Sequence, residues 1–217
     1  MKLDTQVIAT AALGLLDETG LDGLTMRKVA GALNVQAPAL YWHVKNKREL
    51  LDVMARAVFV EAVTGVEAPG RNEDWQSWMI ALASRFRRSM LRYRDGAKVL
   101  AGTYVADETL WRTIELTLRT LDDAGLPRAD AERLFPIILH YTVGFVIEEQ
   151  SRLGIDYAAG NPYDPGHLRD EIDSDRYPRA AHLVSAAFTT DSDAEFDHGL
   201  RVILAGITSL RTDSEPG

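Results

Sequence analysis

The 217-residue sequence contains no cysteine, so neither a disulfide nor a thiolate-bound metal can hold its fold, and no thiol can sense redox state. It also lacks an apolar run of membrane length. Its most apolar stretch, residues 134–147, is broken by His140 and falls short of the roughly 20 residues that a bilayer requires. The amino end has no basic region leading into an apolar core, and Asp4 lies where it would disfavour a secretion signal. A cytoplasmic setting without a membrane partner is expected. No segment alternates with period two over strand length, and no Asn-Gly or Asp-Gly pair sits between β-branched runs, which excludes an evident sheet. Catalytic signatures are missing as well: there is no His-Glu-x-x-His, no Gly-rich phosphate loop and no Gly-x-Ser-x-Gly. Neither an enzyme nor a metal or cofactor site is expected.

A further scarcity is local. The chain carries a formal charge of −8, yet between Gly23 and Arg48 there is no Asp or Glu, while Arg27, Lys28, Lys45, Lys47 and Arg48 are all cationic. Residues 1–50 come to +1 and the remaining 167 to −9. An acidic body behind a basic head turns that head toward a polyanion as it approaches. The apolar fraction of 46% and charged fraction of 26% are those of a globular chain, long enough for a small head and a larger body.

What is present in the head is a pair of short helices. Thr25 is placed to cap one that carries Val29, Ala30 and Leu33 inward, Asn34-Val35 is the tight turn, and Gln36 to His43 forms the second. Two helices joined by a three- or four-residue turn must approach closely, which Ala30, Gly31, Ala32 and Ala37 would permit. Pro38 is tolerable only in a first turn, which starts the second helix near Gln36 or Ala37. A helical hairpin with a solvated charged face would use the same charges. Tyr41-Trp42 ahead of Lys45-Asn46-Lys47-Arg48 would be wasteful in such a hairpin, whereas it suits DNA: cations for phosphates, and Gln36, Ala37, Ala39, Tyr41, Trp42 and His43 toward the groove.

The rest of the chain also reads as helical. Asp4 caps a first helix ending at Gly20, and Asn46 with Glu49 opens a connecting helix to about Val63. Residues 65–74 are a loop. Trp78, Leu82, Phe86 and Met90 then mark one face of a long helix, a face that plain core packing would also explain. A short helix lies within 93–103, and longer ones cover about 107–123 and 128–153, the latter kinked or delayed by Pro136. Residues 154–177 are expected to be a long loop with one short helical turn, followed by helices near 178–188 and 194–211. The fold class is therefore all-α.

The first 63 residues resemble the DNA-binding domain of the TetR family, and LYWHVKNKR at 40–48 resembles the tetracycline-repressor subgroup; RDGAKV followed by GT at 94–103 extends the likeness into the body. The resemblance implies a helix-turn-helix domain over 1–63 and a ligand-binding and dimerisation domain over 64–217. It also implies a homodimer on an inverted-repeat operator in double-stranded DNA, released by a small-molecule effector. By that likeness Tyr41 and Lys47 clamp phosphates and Arg27 and Gln36 read bases. The whole DNA-contacting set is expected to be Thr25, Arg27, Lys28, Gln36, Ala37, Pro38, Ala39, Tyr41, Trp42, His43, Lys45 and Lys47. The short helix from Asp95 to Leu100 would relay effector binding by unwinding. The 128–153 and 194–211 helices of two subunits would form a four-helix bundle, although their apolar stripes suit an internal core equally.

The pocket departs from the subgroup. Its histidine that holds drug-chelated magnesium is Leu100 here, the His and Asn that grip the drug are Val63 and Leu82, and its pocket Gln is Thr117. Phe86, Thr103, His140 and Glu148 do match, Glu148 as a residue reaching from the partner subunit. Met90, Ile114 and Ile138 complete the expected lining. Leucine offers Mg²⁺ no ligand, and aliphatic residues would leave a polar drug edge unpaired. The expectation is an open apolar pocket for a hydrophobic or amphipathic effector. The alternative is a Mg-tetracycline-responsive repressor of an efflux gene, and a helical scaffold or enzyme is a remoter one.

Overall fold

The computed structural model describes residues 3–105, 107–153, 160–187 and 191–212, and every regular element among them is a helix. They divide into two compact units, one up to Val146 and the other from Ile147 onward.

The first unit begins with α1 (Thr5–Gly14), capped by Asp4 Oδ1, which accepts from Val7 N at 2.9 Å. Sequence periodicity predicts one helix to Gly20, but the chain pauses at Leu15 and resumes as α2 (Leu16–Gly23). Gly20 inside α2 is not helical, with φ of 60° and ψ of 173°, and a Cβ there would lie 3.3 Å from the Arg94 guanidinium. Thr25 Oγ1 caps α3 (Met26–Ala32) by accepting from Lys28 N. Asn34, at φ 53°, makes the left-handed turn that short polar side chains tolerate, and α4 (Ala37–Tyr41) follows with Pro38 in its first turn. That helix stops at Tyr41 because His43 and Val44 N–H both return to the Leu40 carbonyl. Ile8, Leu16, Leu24, Leu40, Val44 and Leu50 are fully buried and form the core of the head.

The connecting helix is α5 (Lys47–Val63). Asn46 Oδ1 accepts from Glu49 N at 2.9 Å, while Glu49 Oε2 accepts from Lys45 N at 2.8 Å, one residue short of a reciprocal capping box. Its buried residues, among them Leu50, Met54, Val58 and Phe59, pack against α1 on the head side and against α6 (Trp75–Leu91) on the body side. The predicted stripe Trp78, Leu82, Phe86 and Met90 is buried throughout. Then come α7 (Gly96–Leu100), α8 (Glu108–Asp123) and α9 (Arg128–Ser151). Pro136 does not delay α9, which runs through it.

The second unit holds the last turn of α9, then α10 (Pro165–Glu171), α11 (Pro178–Ala187) and α12 (Ser192–Thr212). The predicted loop thus contains a two-turn helix, capped by Asp164; residues 154–159 of it lie outside the described residues. In α12, Phe196, Leu200 and Leu204 are buried. Among the described residues no helix is long and apolar enough to cross a membrane.

Glycine is used unevenly. A Cβ on Gly96 would stand 2.1 Å from the Met90 carbonyl oxygen, whereas one on Gly31 meets nothing within 4 Å, so the small size of Gly31 is not what lets α3 and α4 approach. Gly96→Ala is expected to cost about 1–3 kcal/mol of stability by forcing backbone apart, and Gly31→Ala to add about 0.5–1 kcal/mol in helix propensity. Denaturant midpoints of the two variants check both signs; equal midpoints would show that the α6–α7 corner tolerates a methyl group.

Candidate nucleic-acid interface and effector site

The short α4 is anchored by Leu40, which is fully buried, while its neighbours point outward: Tyr41 is 46% and Trp42 87% exposed. Exposing a tryptophan forgoes about 1.5–3 kcal/mol of burial, so its place in an ordinary helical hairpin would be the core. Thr25, Arg27, Lys28, Gln36, Pro38, His43, Lys45 and Lys47 are exposed beside it, and Ala37 and Ala39 are half-buried. Gln36 precedes α4 without a side-chain capping bond, so its amide is not consumed by the helix. Lys28 Nζ donates to Gly23 O at 2.8 Å and Lys47 Nζ to Leu21 O at 3.0 Å. An ammonium has three donors, so one carbonyl bond orients each lysine and leaves two for phosphate. Sequence reasoning missed these backbone anchors, which depend on where α2 ends in space.

The segment that follows α6 meets the head directly. Asp95 is buried at φ 60°; its Oδ2 accepts from Leu21 N at 2.9 Å and its Oδ1 lies 2.7 Å from Lys98 Nζ. Arg94 N donates to Asp17 Oδ1 at 3.2 Å. Asp95 therefore starts α7 and ties it to α2 at once.

Between α6 and α9 lies a closed apolar site. Met79, Leu82, Ala83 and Phe86 face Phe135, Ile138, Leu139 and Thr142 across a cavity of about 10 Å³, room for one water at most. In this cavity no room for a drug-sized ligand is open, because the aliphatic and aromatic side chains close on one another. Thr142 is its one polar lining residue, and its Oγ1 donates to Ile138 O at 2.7 Å, leaving only acceptor capacity. Leu82, Phe86 and Ile138 are the expected pocket residues brought together here. Val63, Met90, Leu100 and Thr117 are buried elsewhere in the unit, and Thr103 and Ile114 are half-buried. His140 is exposed and does not line this cavity; Ile138, Leu139 and Thr142 of its own helix do. Glu148 is exposed and belongs to the second unit. Met79, Ala83, Phe135, Leu139 and Thr142 were missed. Their signal was present, since 79/82/83/86 and 135/138/139/142 each follow i, i+3, i+4, i+7, and a strict four-residue repeat was too narrow a template.

Magnesium does not fit this chemistry. Leu100 is buried without a donor atom, and no cluster of three His, Cys, Asp or Glu suited to a metal occurs among the described residues. A larger groove of about 530 Å³ lies between α5 and α6, lined by Glu61, Arg85 and Arg92 among others. It is part of the scaffold: Arg85 donates to the Ala62 and Thr64 carbonyls at the end of α5, and Arg92 pairs with Glu61.

Residues 8–54 match the family of bacterial regulatory proteins named tetR, and residues 68–211 match the tetracycline repressor-like C-terminal domain. The class A tetracycline repressor from transposon 1721 of Escherichia coli is 40% identical over 210 residues, covering 97% of this chain and 93% of the relative. A crystal structure of a possible TetR family transcriptional regulator from Streptomyces coelicolor A3(2) superposes with a TM-score of 0.83 at 35% identity, over 95% of this chain and all of that one. The Streptomyces coelicolor protein ActR, solved in complex with actinorhodin, gives 0.78 at 30% identity over 95% and 96% of the two chains. A basic helix-turn-helix head, an all-helical body and matches along nearly the whole chain lead to one conclusion: this protein belongs to the TetR family, as a ligand-responsive, DNA-binding transcriptional repressor and not an enzyme.

Proposed function

We propose that the chain acts in the cytoplasm as a homodimer that holds an inverted-repeat operator, and that a small uncharged effector with an apolar body, rather than Mg-tetracycline, releases it. Functionally the division falls near residue 63, between a reading head and a ligand-binding, dimerising body. The observation that carries the DNA reading is the outward Tyr41-Trp42 pair on an α4 pinned by Leu40, flanked by exposed cations with no acid among them. A two-fold dimer would set two such helices in successive major grooves, about 34–36 Å apart. For the dimer, α12 offers Val202, Ala205 and Gly206 exposed on one outward strip, small enough for close approach.

The effector reading rests on the closed cavity. A drug-sized ligand needs on the order of 300 Å³ or more, so it would have to part α6 from α9, and its energy of binding to the parted form is what could shift the protein away from DNA. The same strain would reach α7, which hangs from α6 through the tight Gly96–Met90 corner. Lining that offers one hydroxyl oxygen and otherwise carbon favours a ligand with few polar groups. The 40% identity to a tetracycline repressor supports the Mg-tetracycline alternative; Leu100 and the apolar lining oppose it.

Lys47→Ala is expected to weaken binding to every duplex and to flatten the logarithmic salt dependence by about one unit, whereas Gln36→Ala should relax preference at one base position at a cost of about 1–3 kcal/mol. Titration of duplexes selected from a random pool, at several salt concentrations, checks both; an unchanged salt slope for Lys47→Ala would remove the lysine from the interface. Mg-tetracycline is expected to leave the protein–DNA complex intact, and release at nanomolar drug would overturn the effector assignment.

A further inference from the structure

The groove of about 530 Å³ between α5 and α6 sets three guanidinium groups, Arg85, Arg88 and Arg92, against a single carboxylate, Glu61. Its volume is that of a small-molecule site. The surplus of positive charge runs against the composition around it, since residues 51–217 carry a net −9, and a concave surface concentrates the field of its charges. A helix turns about 100° per residue, so Arg85, Arg88 and Arg92 share one side of α6, turned away from the side on which Met79, Leu82, Ala83 and Phe86 line the closed cavity.

Two of the three arginines have structural work. Arg85 donates from Nε to the Ala62 carbonyl and from Nη2 to that of Thr64, closing the end of α5. Arg92 donates to Glu61 Oε1, while the Tyr93 hydroxyl donates to Glu61 Oε2 at 3.2 Å, so both oxygens of the one acid are occupied. Arg88 is different. It is exposed, and among the described residues it has no hydrogen-bond or ion-pair partner. Its neighbours three residues before and four residues after are Arg85 and Arg92, like charges at spacings where they repel. A cation in the last turn favours the helix dipole, but Arg92 already supplies one at the same end of α6.

The five N–H groups of a free guanidinium form a planar fork that matches a carboxylate. Ala62 and the part-exposed Leu91 give the same groove an apolar wall. Glu61 opposes a dianion more strongly than a monoanion. We propose that this groove binds a small organic monoanion, a carboxylate on an apolar body, with Arg88 as its bidentate anchor. The site is separate from the cavity between α6 and α9 and does not rest on the effector proposed there.

The test titrates the full chain with cinnamate at low salt, reading the broadening of the cinnamate proton resonances, with cinnamyl alcohol as the uncharged counterpart. Cinnamate is expected to bind about tenfold tighter than the alcohol, the margin of one charge-assisted pair at an exposed site. Arg88→Gln should weaken cinnamate about tenfold and leave the alcohol unchanged, while Arg88→Lys, which keeps the charge and loses the fork, should weaken it about threefold. Arg88 bonds to nothing in the chain, so the denaturant midpoints of all three proteins should agree and a loss of binding is not a loss of fold. Cinnamate that binds no tighter than the alcohol, or equally well to wild type and Arg88→Gln, overturns the inference and leaves Arg88 as a cation serving only the end of α6. A wild type that selects no DNA duplex would sink the proposed function without altering any of these outcomes.

Discussion

One buried carboxylate constrains how the parts of the first unit can move. Asp95 adopts a left-handed backbone that costs about 1–2 kcal/mol for most residues, and Gly96 follows it where the Met90 carbonyl leaves no space for a side chain. What offsets the strain is charge-assisted bonding: the carboxylate receives the Leu21 N–H and faces the Lys98 ammonium. Leu21 needs that partner, because Gly20 leaves helical geometry just before it and interrupts the ladder. The corner that opens α7 is thus also the clasp that closes α2. Any rearrangement of α7 must either carry the head along or expose an unpaired N–H and a charged side chain, and both alternatives are costly.

Around that clasp, polar and apolar residues divide the work. The head spends its few apolar side chains on a small core and leaves cations, a glutamine and two aromatic residues in water, an arrangement that lowers stability and makes sense only when a polyanion is to be met. The body does the reverse. Between α6 and α9 hydrocarbon packs on hydrocarbon, so in the proposed reading a ligand has to supply the free energy of opening. As the proposed effector site it would discriminate by desolvation: a ligand rich in polar groups would leave them unpaired, and the interior provides one hydroxyl acceptor.

Much of this was legible before any coordinates. Caps at Asp4, Thr25 and Asn46 could be read because side-chain capping is local, three residues along the chain. The buried face of α6 followed from its period. The break at Leu15, the early end of α4 at Tyr41 and the two-turn helix α10 were not legible, since each depends on marginal backbone preferences that neighbours in space settle. On α9 the sequence match selects His140, while the turn of the helix puts Ile138, Leu139 and Thr142 on the cavity and leaves His140 exposed.

By itself, then, the order of residues determined the all-helical class, the acid-free basic head and the absence of a magnesium ligand at position 100, because composition, period and side-chain chemistry need no partner to be read. Only the tertiary structure decided that the apolar site is shut, that Lys47 is oriented by the Leu21 carbonyl, and that the stretch from Arg94 to Asp107 is fastened at both ends. These rest on contacts between residues 26 to 77 positions apart, or on how closely two helices pack, and no local preference encodes such distances.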